Sequence, residues 1–211
     1  TGRKSRSVTN SKIIRRLSEF GPAVIATITR PGPHCVLSSA VGQDVLKRFG
    51  IEATPYAADV TVCNSAFAEW FDSGSPGGQD EVLRRGGYVL TNSPGWTGES
   101  LPSLNPVTTA PWDGHLVLRV DDTLIDLDMG AFNRPTKNIH LPPAFVASFM
   151  GDEVFASYGA GETFTHVGYK PLVAPYADDY LLAKDWTERA RFADIVTVIE
   201  RRIRKGYRRG N

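Results

Sequence analysis

The stretch Pro31-Gly32-Pro33-His34-Cys35-Val36-Leu37-Ser38-Ser39-Ala40 decides how this chain is read. Pro-Gly-Pro forbids regular structure, so the chain must turn just before Cys35. From Cys35 the pattern becomes helical: Val36, Leu37, Ala40, Val41, Val45, Leu46 and Phe49 fall on one broad face, and Gly50 supplies the stop. A cysteine therefore stands at a helix N-terminus, where unpaired backbone N–H groups and a partial positive charge favour a thiolate. The same N–H groups suit the oxyanion of a tetrahedral intermediate. A small buried hydrophobe is the plainer reading of a free cysteine; the Pro-Gly-Pro approach argues against it.

Working outward, residues 1–10 read as a flexible basic arm with Arg3, Lys4 and Arg6. Asn10 or Ser11 can cap a short helix with Ile13, Ile14, Leu17 and Phe20 on one side. Residues 23–29 read as a short apolar strand, and residues 56–63 as another. Residues 73–111 are rich in Gly, Pro, Ser, Thr and Asn and read as a long loop, of a kind that is usually functional or disordered. A hairpin follows, residues 115–120 and 123–129 around Asp121-Asp122. After Pro142-Pro143 a short helix or turn is expected, then strands over 153–158 and 163–169, then a helix over about 185–204. The whole predicts one α+β domain over residues 11–200, a cysteine-bearing helix on an antiparallel sheet, with a basic tail over 201–211.

With 211 residues the chain is long enough for a real core, and its formal net charge of +1 provides no global steering. The charge is uneven, because Arg201, Arg202, Arg204, Lys205, Arg208 and Arg209 crowd one end. That run reads first as a solvated helix end, with nucleic acid or an acidic partner surface as the alternative. The only cysteines are Cys35 and Cys63. Cys63 closes the apolar run Val60-Thr61-Val62-Cys63, which reads as a buried strand, so no disulfide is expected. Without a secretory signal or an apolar stretch near the roughly 18 residues of a membrane span, a cytoplasmic, reducing setting is expected, which would keep a thiol active.

The hairpin brings the second chemical group. If Asp121 and Asp122 are the turn, Val120 pairs with Thr123, Val117 with Asp126 and His115 with Asp128. His115, Val117, Asp126 and Asp128 then share one face. A turn longer by one residue would send both carboxylates away. A thiol, an imidazole and an orienting carboxylate are the parts of a nucleophile, its base and the group that fixes the base. A surface histidine beside solvated aspartates is the plainer alternative.

Residues 35–56 resemble the nucleophile segment of the bacterial transglutaminase-like superfamily: a Cys, a small residue four or five positions on, then a leucine, a basic residue and Gly-Ile. Gly114-His115 and Ile125-Asp126-Leu127 are similar, in order and setting, to the later His and Asp motifs of that family. The resemblance covers residues 35 to about 130. It implies a papain-like fold and a cysteine hydrolase or acyltransferase, whose Cys35, His115 and Asp126 act as a triad on the amide or acyl group of a peptide, protein or small molecule. It favours Asp126 over Asp128, against the simplest register count, and keeps Asp128 as the substitute. His34 departs from the family pattern, which has a small or acidic residue before the cysteine, and no side-chain oxyanion donor precedes Cys35. The related arylamine N-acetyltransferases have an Arg-Gly-Gly-rich approach that this chain lacks.

No organic cofactor or metal is expected. His140 and His166 lack partners at metal-ligand spacing, and Ser75-Pro76-Gly77-Gly78 lacks the strand and lysine of a phosphate loop. Trp96 and Trp112 could wall a substrate channel or pack beneath the loop. The rival to an enzyme is a catalytically inactive module of the same fold, associated with a protein or nucleic acid through its basic ends.

Overall fold

The computed structural model describes residues 2–28, 34–92, 114–160 and 163–208. Pro31-Gly32-Pro33, Trp96 and Trp112 lie outside the described residues. Helix α1 spans Gly2–Ile25 and α2 spans Cys35–Arg48. Strand β1, Thr54–Asn64, leads into α3, Ser65–Asp72, and α4, Gly78–Arg84. Next come β2, Val89–Asn92, the β3 and β4 hairpin, His115–Val120 and Thr123–Asp126, and β5, Phe145–Ser148. Strands β6, Val154–Ala160, and β7, Thr163–Pro171, precede α5, Lys184–Thr187, and α6, Ala193–Arg208.

The strands form one antiparallel sheet in the order β5-β4-β3-β1-β7-β6. Strand β1 is its spine. Along one edge its first half pairs with β3 (Ala58 opposite His115) and its second half with β2 (Val60 opposite Asn92). The roots of residues 93–113 therefore lie almost end to end, and Asn92 Nδ2 donates to the Gly114 carbonyl at 3.1 Å.

Side-chain alternation divides the interior in two. On one face Leu118, Val120 and Ile125 meet Ile14 and Leu17 of α1, Leu37 and Val41 of α2, and Ile199 and Ile203 of α6. On the other, Val60, Val117, Leu124, Phe145, Val167 and Tyr169 form a second core. A Cβ on Gly42 would meet Leu127 Cδ1 at 2.7 Å and Leu118 Cδ1 at 2.9 Å, so the glycine lets α2 lie close on the sheet. The chain is thus a mixed helix and antiparallel-sheet protein. Among the described residues no helix is long and apolar enough to cross a membrane.

Several elements differ from the sequence reading. Residues 2–10 belong to α1 and are no separate arm, and the helix continues through Pro22 to Ile25 where a strand was expected. Val24 and Ile25 are buried there, and packing overrides their β-preference. Within residues 73–111, α4 and β2 replace loop; α3 just before them is capped by Asn64, whose side chain accepts from Phe67 N–H at 3.0 Å. The helix or turn expected after Pro142-Pro143 is β5, whose buried Phe145 alternates with exposed Val146. The C-terminal helix is broken: α5 gives way to a 3₁₀ turn, Arg189–Phe192, that puts Phe192 in the core before α6 begins. Residues 201–208 continue α6 and do not form a separate tail.

Candidate active site

Cys35 is the first residue of α2 and is 6% exposed. Two bonds fix this turn. Ser38 N–H donates to the His34 carbonyl at 2.7 Å, and the buried Ser39 hydroxyl donates to the Leu116 carbonyl at 2.8 Å. Ser39 thereby fastens the turn that carries Cys35 to the backbone beside His115.

His115 opens β3 and is 1% exposed. Its Nε2 lies 2.7 Å from Asp126 Oδ2, and the Cys35 thiol is near enough to act on the same ring. Burial opposes a charge on this imidazole. The Asp126 carboxylate and the bonds to Asp126 and Cys35 outweigh that and hold His115 well above the ordinary histidine range. Phe132 sits edge-on to the ring, centroids 5.1 Å apart, and helps keep water away.

Asp126 is fully buried and fully occupied. Besides the imidazole, Oδ2 accepts the Tyr169 hydroxyl at 2.9 Å, and Oδ1 accepts the Asp128 backbone N–H at 2.8 Å. Burial, then the charge of Asp126, pushes the Tyr169 phenol well above its ordinary value, so it stays a donor. Phe145 stacks on the outer face of Tyr169 at 6.3 Å.

The hairpin has the two-residue turn that counting expects, with Val120 opposite Thr123 and Asp121 at φ +50°. Extending that register puts Asp128 across from His115, yet the diagonal Asp126 binds the ring. The reason is that β4 ends at Asp126, and the chain then bends into a 3₁₀ turn, Met129–Phe132. Asp128 leaves the strand line, and its Oδ2 accepts the His34 backbone N–H at 2.8 Å. Burial raises the Asp128 carboxyl above the usual range, against the lowering effect of His115. Asp128 thus binds the residue before Cys35 through its side chain and the residue orienting His115 through its backbone.

The structure brings together Cys35, His115 and Asp126. It does not add Cys63, which lies in β1 with a thiol pushed to about 11 by burial and by Asp72; both cysteines are free. His166 pairs with Ser157 Oγ at 3.0 Å on the exposed side of the sheet. Among the described residues no three His, Cys, Asp or Glu side chains gather as metal ligands would. Sequence reasoning missed Tyr169, Ser39 and Phe132. Only the alternation of β7, which turns Thr165, Val167 and Tyr169 inward, could have signalled the tyrosine.

Tyr169→Phe removes the phenol hydroxyl without changing shape. It is expected to cost roughly 1–3 kcal/mol of stability, as for a hydrogen bond to a charged group. Urea unfolding with an unchanged m-value checks it.

Comparison with known proteins identifies no relative: no family model matches the chain, and neither a curated protein nor a solved structure matches it significantly.

Proposed function

We propose that the protein is a cysteine acyl-transfer enzyme with a papain-like, transglutaminase-like arrangement of groups, acting on amide or acyl-bearing substrates in a reducing compartment such as the cytoplasm. The observation that carries this reading is His115, sealed from water with Nε2 on Asp126 and raised in proton affinity by Asp126 and by Cys35.

Cys35 Sγ attacks the carbonyl carbon as a thiolate, its proton held on the raised imidazole of His115. Asp126 holds the ring in the orientation that accepts it and balances the resulting cation. Backbone N–H groups at the start of α2 stabilise the oxyanion. The tetrahedral adduct collapses, and the amine or alkoxide leaves with the proton from His115. A thioester remains on Cys35. Water or a second amine then attacks this thioester, giving its proton to His115, which returns one to sulfur as the acid or new amide departs. Atoms and charge balance with no other reagent.

p-Nitrophenyl acetate tests the reading. A burst of p-nitrophenol with one acetyl group on Cys35 by peptide mass spectrometry is expected. Cys35→Ala should abolish it, and Cys63→Ala should leave it intact. Acylation confined to Cys63 or surface lysines would reject the reading in favour of an inactive module of the same fold.

A further inference from the structure

Helices α1 and α6, which carry the basic ends of the sequence, pack against each other. Helices α1 and α6 together carry eleven basic and three acidic residues, a net of +8, while the other residues carry thirteen basic and twenty acidic, a net of −7. A chain with net charge +1 is therefore strongly polarised, and its positive pole is one helical pair.

Packing fixes which sides face out. Ile13, Ile14 and Leu17 of α1 and Val196, Ile199 and Ile203 of α6 are all in the core. Lys12 and Arg15 on α1, and Arg201, Arg202, Arg204 and Lys205 on α6, are exposed. The helices touch at Gly206, where a Cβ would stand 3.4 Å from Arg16 Cζ; the missing side chain leaves room for that guanidinium against α6. Acidic residues are sparse: Glu19 pairs with Arg16 at 2.9 Å, Glu200 takes Arg48 at 2.8 Å and Arg204 at 2.7 Å, and Asp194 is in the first turn of α6.

This is more than a helix end favoured by its dipole. Cations suit the C-terminus of α6, but Arg3 and Lys4 stand at the N-terminus of α1, where no acidic residue occupies the first turn and the dipole opposes positive charge. Gathering like charges works against the compact state, and a polyanion would offset it.

We infer that the α1–α6 face binds the phosphate backbone of nucleic acid, independently of whether Cys35 is catalytic. Four of the six exposed cations, Arg15, Arg201, Arg202 and Arg204, are arginine, whose planar fork takes phosphate oxygens two at a time. Helices of 24 and 16 residues extend about 36 and 24 Å, the length of roughly seven to ten base pairs. Lysine and arginine along helix flanks give contact to the phosphate backbone, which is largely indifferent to sequence. A lipid surface fits less well, because Ile13, Ile14, Leu17, Val196, Ile199 and Ile203 are buried and Val198, 39% exposed, is the one exposed large apolar side chain of α6 among the described residues.

The full chain is titrated into a fluorescein-labelled DNA duplex of about 20 base pairs, followed by anisotropy across a salt series. The expected result is a plot of log affinity against log salt that falls linearly, for two sequences alike. Replacing Arg201, Arg202 and Lys205 together by alanine should weaken binding by roughly a hundredfold at 0.1 M salt and flatten the slope by about 2.7, with an unchanged unfolding midpoint. No binding at low salt, binding unaffected by the triple substitution, or tighter binding to phosphatidylserine vesicles than to the duplex would each overturn the inference.

Discussion

His115→Ala is expected to slow alkylation of Cys35 by iodoacetamide roughly ten- to thirtyfold at pH 7. In the native protein the imidazole is the group engaged with the thiol, and Asp126 keeps it well above its ordinary proton affinity. Without the ring the thiol loses this partner, and an isolated thiol is only a few per cent ionised at pH 7, which sets the size of the loss. Cys63 serves as the internal control. It is buried, and its thiol is pushed to about 11, so it should stay unlabelled while the fold is intact. Equal labelling of Cys35 in both proteins, with Cys63 protected, would mean that ring and sulfur do not work together. Labelling of Cys63 in the variant would instead report unfolding, and His115→Gln then repeats the test with less disturbance.

The second large effect is at Asp126. Asp126→Ala strips the acceptor from His115, from the Tyr169 hydroxyl and from the Asp128 N–H at once, all in the interior. Breaking a buried pair in this way costs about 3–5 kcal/mol, a fall in Tm of roughly 6–20 °C for a chain of this length. Asp126→Asn keeps the volume but not the charge, and should lower Cys35 acylation by up to about 10⁴-fold, the scale seen when an orienting carboxylate becomes an amide. The sign of the pH dependence follows from His115. Its folded proton affinity is raised, so the stabilisation from the charged pair is full below the ordinary histidine value, near 6.5, and is lost as pH rises through the higher folded value. The Tm gap between wild type and Asp126→Asn should therefore be wider at about pH 6 than at about pH 10. A gap that grows with pH would show that the ring is neutral in the native state.

The parts of this site that obey local rules were legible in the sequence. A turn-forming run before Cys35, an apolar helical face to Phe49 and a two-residue hairpin turn gave α2, β3 and β4, and put His115 and Asp126 on one face. The diagonal bond was less accessible: counting paired His115 with Asp128, because nothing local says that β4 stops at Asp126. Tyr169 lies 43 residues beyond Asp126, and no spacing rule links them. The misread helices have a different cause. Gly77 and Gly78 look like loop residues, yet Gly77 takes φ +70° as the residue that opens α4. Val24 and Ile25 look like strand, yet the core they enter requires α1 to continue.

The near meeting of β2 and β3 along β1 has an evolutionary consequence. The chain leaves the sheet at Asn92 and returns to it at Gly114, two positions already bound to each other. Lengthening such an excursion costs little, about 0.6 kcal/mol per doubling. Descendants of this chain can thus gain or lose sequence immediately before His115 without shifting the register of the strands. Chain length at this point and the register of the strands can therefore diverge at different rates.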